Sequence, residues 1–286
     1  MLAPLAGSSL AKSSLAKSSA ATSPVEQVWE CLRGVTDPEL DESVVDMNFV
    51  AAVEVDADDC VHIRFRLPTY WCAANFAFMM ADDMRSAVSE LAWVRGVDVV
   101  LGEHMYADTI NHGVAEGLSF RQAFGDEATD DLDEVRRIFL LKAFQRRQEA
   151  LLRHLTDVGH APCDLARWTM RDLATASADE VGAKLVERYL ERRSVVCPAP
   201  LDALAFVTTI GAPLPITGFA SYLASLRRVR INAEFNGALC RGLLAAREEM
   251  TATPSSGPGC GSVACGATAC AGTKAEAPME ESSCLR

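Results

Sequence analysis

Two short runs of alternating apolar residues, joined by an acidic turn, constrain this chain more than any other feature. Phe49, Ala51, Val53 and Val55 alternate with their neighbours; after Asp56-Ala57-Asp58-Asp59, Val61, Ile63, Phe65 and Leu67 alternate with His62, Arg64 and Arg66. Successive side chains of a strand point to opposite faces, so a period of two predicts a hairpin with one dry face and one wet face. The dry face needs cover, and the flanking sequence supplies it as helices. Ser23-Pro24-Val25-Glu26 reads as an N-cap, a proline at the first helical position and a capping-box glutamate, with Val25, Val28, Trp29 and Leu32 on one face and Gly34 at the end. Pro68 stops the second strand. Phe76, Met80, Met84, Ala87, Val88 and Leu91 then mark a second helix, Gly96 breaks it, and Val97, Val99 and Leu101 supply a third strand. The expected fold class is α+β: an α-β-β-α-β two-layer domain with a three-stranded sheet over residues 24–105.

Beyond residue 105 alternation fades. Helices are expected near 108–124, 131–157, 164–175, 178–193 and 219–250, giving an all-α region over 106–252. The 131–157 segment carries Arg136, Arg137, Lys142, Arg146 and Arg147, read as a solvated face, with a docking patch as the alternative. Low-complexity Ser/Ala/Lys sequence over 1–23 and Pro/Ser/Gly/Ala/Cys sequence over 253–286 cannot bury enough surface to order, so both read as disordered tails.

Composition narrows the function classes. In 286 residues, 27 basic against 39 acidic groups leave a net charge of −12, which repels phosphate backbones and excludes nucleic acid as an expected partner. The longest apolar stretch, 201–226, is interrupted by Gly211, Pro213, Pro215 and Gly218, so no membrane span is expected and the chain reads as soluble. Ten cysteines without a signal peptide point to a reducing cytoplasm with free thiols. No phosphate-cradling glycine loop, GxSxG elbow or HExxH helix occurs.

Cys72, in Pro68-Thr69-Tyr70-Trp71-Cys72-Ala73-Ala74, falls between a strand and the mouth of a helix, where unpaired N–H groups and the helix dipole favour a thiolate able to ligate metal. A buried cysteine that merely packs is the structural alternative. Asp37-Pro38-Glu39, followed by Val44-Val45-Asp46, places carboxylates on a loop fixed by proline; they could offer oxygen ligands or simply cap a turn. Cys260, Cys265, Cys270 and Cys284 lie in the small-residue tail, where flexible thiolates could converge on zinc or another soft metal, although no CxxC pair is present. His104, Asp108, His112 and Glu116 would share a face of one helix, and read as a solvated helix start. Cys31, Cys60, Cys163, Cys197 and Cys240 are scattered singly and read as packing.

The two motifs together resemble the SufT/PaaD-type iron–sulfur assembly family over residues 25–102. VTDPELDESVVDMNFVAAVEV, residues 35–55, resembles the family's opening motif, and 61–84 resembles its second, in which a strand ends in Thr and leads shortly to Cys and a helix. The matching positions are Asp37, Pro38, Glu39, Asp46, Thr69 and Cys72. Where the family commonly has Gly before the cysteine and often Pro after it, this chain has Trp71 and Ala73; where Gly often follows the VVD segment, it has Asn48. The resemblance implies an accessory protein, not a turnover enzyme, that carries or targets an iron–sulfur cluster or iron to a client metalloprotein such as a multicomponent diiron oxygenase, in company with cluster assembly proteins. It implies Cys72 as ligand, with Asp37, Glu39, Asp46 and Thr69 around its pocket. One thiolate cannot complete a tetrahedral site, so a homodimer, a client cysteine or another part of this chain must add ligands. The alternatives are a metal-free adaptor between an assembly machine or chaperone and its client, and a thiol redox protein.

Overall fold

The computed structural model describes residues 22–125, 132–176 and 179–252. The tail cysteines Cys260, Cys265, Cys270 and Cys284, and nearly all of the two expected disordered tails, lie outside the described residues.

Helix α1 (Pro24–Gly34) begins as its sequence dictates. The Ser23 hydroxyl accepts from the Glu26 N–H at 3.3 Å, and the Glu26 carboxylate accepts from the Ser23 N–H at 2.8 Å. Val28 and Leu32 are fully buried against the sheet side. Strands β1 (Val50–Val55) and β2 (Cys60–Phe65) pair antiparallel; after α2 (Ala74–Ser89), β3 (Gly96–Leu101) joins β2 in parallel, so β2 is central. The α+β class is therefore observed, with a mixed sheet.

Alternation holds along β2, where Val61, Ile63 and Phe65 are buried while His62 and Arg64 are exposed. It fails at the start of β1. The register shifts between Val50 and Ala52, so Phe49 and Val50 are both buried and Ala51, expected on the dry face, is exposed. An extra residue in one strand turns the side chains after it to the other face, which a strict period of two does not anticipate.

The first core reaches past residue 105. It takes in Ile110 and Val114 of α3 (Ala107–Ala115), Phe124 of α4 (Phe120–Phe124) and Leu244 of α9 (Phe219–Ala252). The remaining helices are α5 (Leu132–Asp157), α6 (Pro162–Leu165), α7 (Met170–Thr175) and α8 (Glu180–Arg193). Two single helices expected from the sequence are each two. The 108–124 run stops at Gly117, whose φ of 67° is left-handed, and Ser119 restarts it with a capping box. The 164–175 run is divided where Thr169 caps α7 through Asp172. In both, a hydroxyl that satisfies free N–H groups competes with helix continuation.

A second core gathers Phe144, Leu151, Leu152, Tyr189, Phe206 and Leu226. Arg137 and Lys142 of α5 are exposed as expected, but Arg136, Arg146 and Arg147 dock onto the first layer instead. Arg136 donates twice to Asp83 of α2 at 2.7 and 2.9 Å, Arg146 donates to the Glu39 carbonyl at 3.3 Å, and Arg147, only 8% exposed, donates twice to Asp41 at 2.5 and 2.9 Å. Arg192 of α8 also grips Asp41, at 2.8 and 3.0 Å. The acidic loop neutralises this run, and a local pattern cannot show which distant carboxylates will face a helix. No described helix is long and apolar enough to cross a membrane.

Candidate functional site

The loop from Leu67 to Cys72 leaves β2 and enters α2 without a side-chain cap at Ala73. Cys72 is half-buried against the first core, and its Sγ lies 3.1 Å from the Thr69 Oγ1, so the two motif positions touch. The segment after β3 pins this loop. The Met105 N–H donates to the Tyr70 carbonyl at 2.9 Å, and the buried His104 ring holds the Cys72 carbonyl. His104 Nδ1 accepts from the Tyr106 N–H at 3.1 Å, which leaves Nε2 to carry the proton it donates to the Cys72 carbonyl at 2.8 Å. His104 precedes α3, so it does not share a helical face with Asp108, His112 and Glu116. Its role as a brace for the thiol loop has no sequence signal. Around the thiol, Tyr70 and Trp71 are 55% and 71% exposed.

The Asp-Pro-Glu loop faces the same side. Asp37 Oδ1 accepts from the Glu39 and Leu40 amides at 2.9 and 2.7 Å, closing the turn. Burial pushes the Asp37 carboxyl up to about 6, against the opposing pull of those two amides. The Glu39 carboxylate accepts from Asn236 Nδ2 of α9 at 3.0 Å. Asp46, by contrast, is exposed and lines a cleft with Arg33, Glu191 and Arg192 on the α8 side.

A residue that the sequence reading assigned to packing completes the group. Cys240 of α9 is half-buried against the first core; burial, then the charges of Asp37, Cys72 and Glu39, push its thiol up to about 11, with Arg241 opposing. The structure thus brings Asp37, Glu39, Thr69 and Cys72 to one region and adds Cys240. Chain separation hid it; the helical spacing of Asn236, Cys240 and Leu244 was the available signal. Among the described residues, no group of three His, Cys, Asp or Glu side chains is arranged to hold a metal ion.

A helix-covered mixed sheet presenting a thiol from a braced strand–helix loop, with a carboxylate loop alongside, defines a small α+β thiol-bearing domain. Residues 25–99 match the family described as iron-sulfur cluster assembly protein, and through this domain the chain belongs to that family. It is also 32% identical over 91 residues to the uncharacterized protein MJ1129 of Methanocaldococcus jannaschii, an alignment that covers 32% of this chain and 94% of that protein. The helical extension lies outside the family match.

Proposed function

We propose that this protein is an accessory factor that holds iron or an iron–sulfur cluster through Cys72 and delivers it to a client metalloprotein, such as a diiron oxygenase, in the cytoplasm. Family membership supports a role in iron–sulfur cluster assembly. The single observation that carries the finer reading is the Thr69–Cys72 contact of 3.1 Å on a loop braced by His104. The thiol is held in place and half-buried, on the side of the domain where the Asp37–Glu39 loop and Cys240 also lie. Sulfur suits iron, and a lone thiolate leaves room for sulfide or client thiolates to complete a tetrahedron. Tyr70 and Trp71 give a client an apolar landing surface next to the thiol.

Anaerobic reconstitution with iron and sulfide, followed by absorption spectroscopy of the parent and Cys72→Ala proteins, tests the reading. The parent is expected to load and the variant to fail; equal loading excludes Cys72 as an essential ligand. A metal-free adaptor is the second reading, favoured by the exposed stripe Ile231, Phe235, Leu239 and Leu243 along α9. That reading expects Cys72→Ala to retain the partners of the parent, and a charged residue at Phe235 to release them.

A further inference from the structure

Helix α9 is outside the family domain, yet it lies across both of that domain's motifs. Asn236 bonds Glu39 at 3.0 Å, Arg241 donates to Glu42 at 2.7 Å, Leu244 is buried in the first core, and Arg247 donates to the Leu67 carbonyl at 2.8 Å. Those anchors tie α9 to the carboxylate loop at one point and to the start of the thiol loop at another. Cys240 falls between Asn236 and Leu244 on the inward face, because residues four apart share a side of a helix. Gly237, one turn along this face, is buried, and a Cβ there would be in ordinary contact with the Glu42 carboxylate at 3.5 Å. Asp37, Glu39 and Cys72, from two other chain segments, lie near enough to Cys240 for their charges to bear on its thiol.

We propose that Cys240 is the second thiol of the Cys72 site, and that the pair forms a two-point seat for a thiophilic divalent metal ion, iron as cargo. The inference rests on the reading of Cys72 given above. Two thiolates from this chain leave the other positions of a tetrahedron open to sulfide or client thiolates. On binding, both thiols release their protons to solvent and two metal–sulfur bonds form, with no change in oxidation state. A divalent cation also offsets the negative charge that Asp37 and Glu39 bring to a partly desolvated place. The helical extension then supplies one of the ligands that the small domain lacks.

Cobalt(II) is the probe, since its thiolate charge-transfer absorption counts bound thiolates. The full chain is used with Cys260, Cys265, Cys270 and Cys284 replaced by serine, under anaerobic conditions, and circular dichroism verifies the fold of each variant. Cys72→Ser and Cys240→Ser are each expected to lose at least about half of the absorption, the double variant all of it, and Cys163→Ser none. Full absorption in Cys240→Ser with loss in Cys72→Ser overturns the pair and leaves the Cys72 reading standing. No absorption in the parent, or full absorption in both single variants, overturns both. A second measurement needs no cysteine pair to be mutated: cobalt is expected to protect Cys72 and Cys240 together from alkylation, mapped by mass spectrometry, and protection of Cys72 alone overturns the proposal.

Discussion

Asn48 shows how one backbone angle explains a departure from the family pattern. Its φ is 58°, in the left-handed region that glycine adopts freely and asparagine tolerates. The position often filled by Gly in the family resemblance is therefore a backbone requirement, and Asn meets it while its Nδ2 donates to Glu248 at 2.9 Å. Asn48→Ala is expected to cost about 1–2 kcal/mol in urea denaturation, from left-handed strain at a Cβ-bearing residue. Asn48→Gly separates strain from the hydrogen bond: if it is as damaging as alanine, the Glu248 bond dominates and the strain account fails. Asp37 gives a pH prediction. The folded carboxyl holds its proton up to about 6, whereas an ordinary Asp releases it near 3.8, so between these values the folded state binds more protons. Stability contributed by this group therefore falls as pH rises through that window, and the penalty is complete above it. Asp37→Asn keeps the Oδ1 acceptor for the two amides and removes the charge. Relative to the parent it is expected to gain stability progressively from about pH 4 to 6, reaching about 2–3 kcal/mol above that range. A difference independent of pH would refute the raised carboxyl. The sequence made Asp37, Glu39 and Cys72 visible through residue type and order, but the burial that sets the Asp37 charge state depends on helices far along the chain.

Elements were legible where local pattern and packing agree. The Ser23 capping box, the alternation of β2 and the stop at Pro68 each follow from a few adjacent residues, and tertiary contacts reinforce them. The β1 bulge and the divided helices were not legible, because each turns on a choice between two locally acceptable conformations. The α3–α4 turn shows what settles such a choice. A Cβ placed on Gly113 would come within 2.7 Å of the Ala123 Cβ and 3.1 Å of the Phe78 ring, so this glycine lets α4 fold back onto α3. Replacing a helical glycine by alanine ordinarily gains about 1 kcal/mol. Overpacking a closed contact costs about 1–3 kcal/mol, so Gly113→Ala is expected to be net destabilising by thermal melting. Adding Ala123→Gly removes the facing methyl and is expected to recover much of the loss, less the helix propensity given up at that position. No recovery would mean that the clash is not the cause. Gly34→Ala, at the last residue of α1 where a Cβ meets nothing within 4 Å, serves as the control expected to be neutral or stabilising by up to about 1 kcal/mol.

At the scale of the molecule, two apolar cores are joined by a polar seam, and Asp41 is its centre. Its carboxylate takes two hydrogen bonds from Arg147 and two from Arg192, and both it and Arg147 are buried, whereas a sheet-surface pair such as Arg64–Glu54 is well exposed. The sequence showed an acidic loop and a basic helix without showing that they meet, since ion pairing across more than a hundred residues leaves no local pattern. Magnitudes separate the two kinds of pair. An exposed pair contributes about 0–1 kcal/mol and weakens with salt, so Glu54→Gln is expected to be nearly silent. Removing one partner of a buried pair leaves the other desolvated and uncompensated, at a cost of about 3–5 kcal/mol. Asp41→Asn keeps the side-chain shape and tolerates the left-handed φ of 51° at this position, so its effect isolates the charge. Glu191 remains close to Arg147 in the variant, which places the expected loss near the lower bound, about 3 kcal/mol. Because the seam is shielded from solvent, the loss should persist in concentrated salt. Calorimetry supplies the further discrimination. If the seam couples the cores, the parent unfolds in one transition and Asp41→Asn splits it in two, with Cys72 alkylation accelerated as α5 and α8 release the carboxylate loop on which α9 rests. A single transition merely shifted to lower temperature would show that α9, through Leu244 and its contacts with Glu39 and Glu42, holds the two cores together without Asp41.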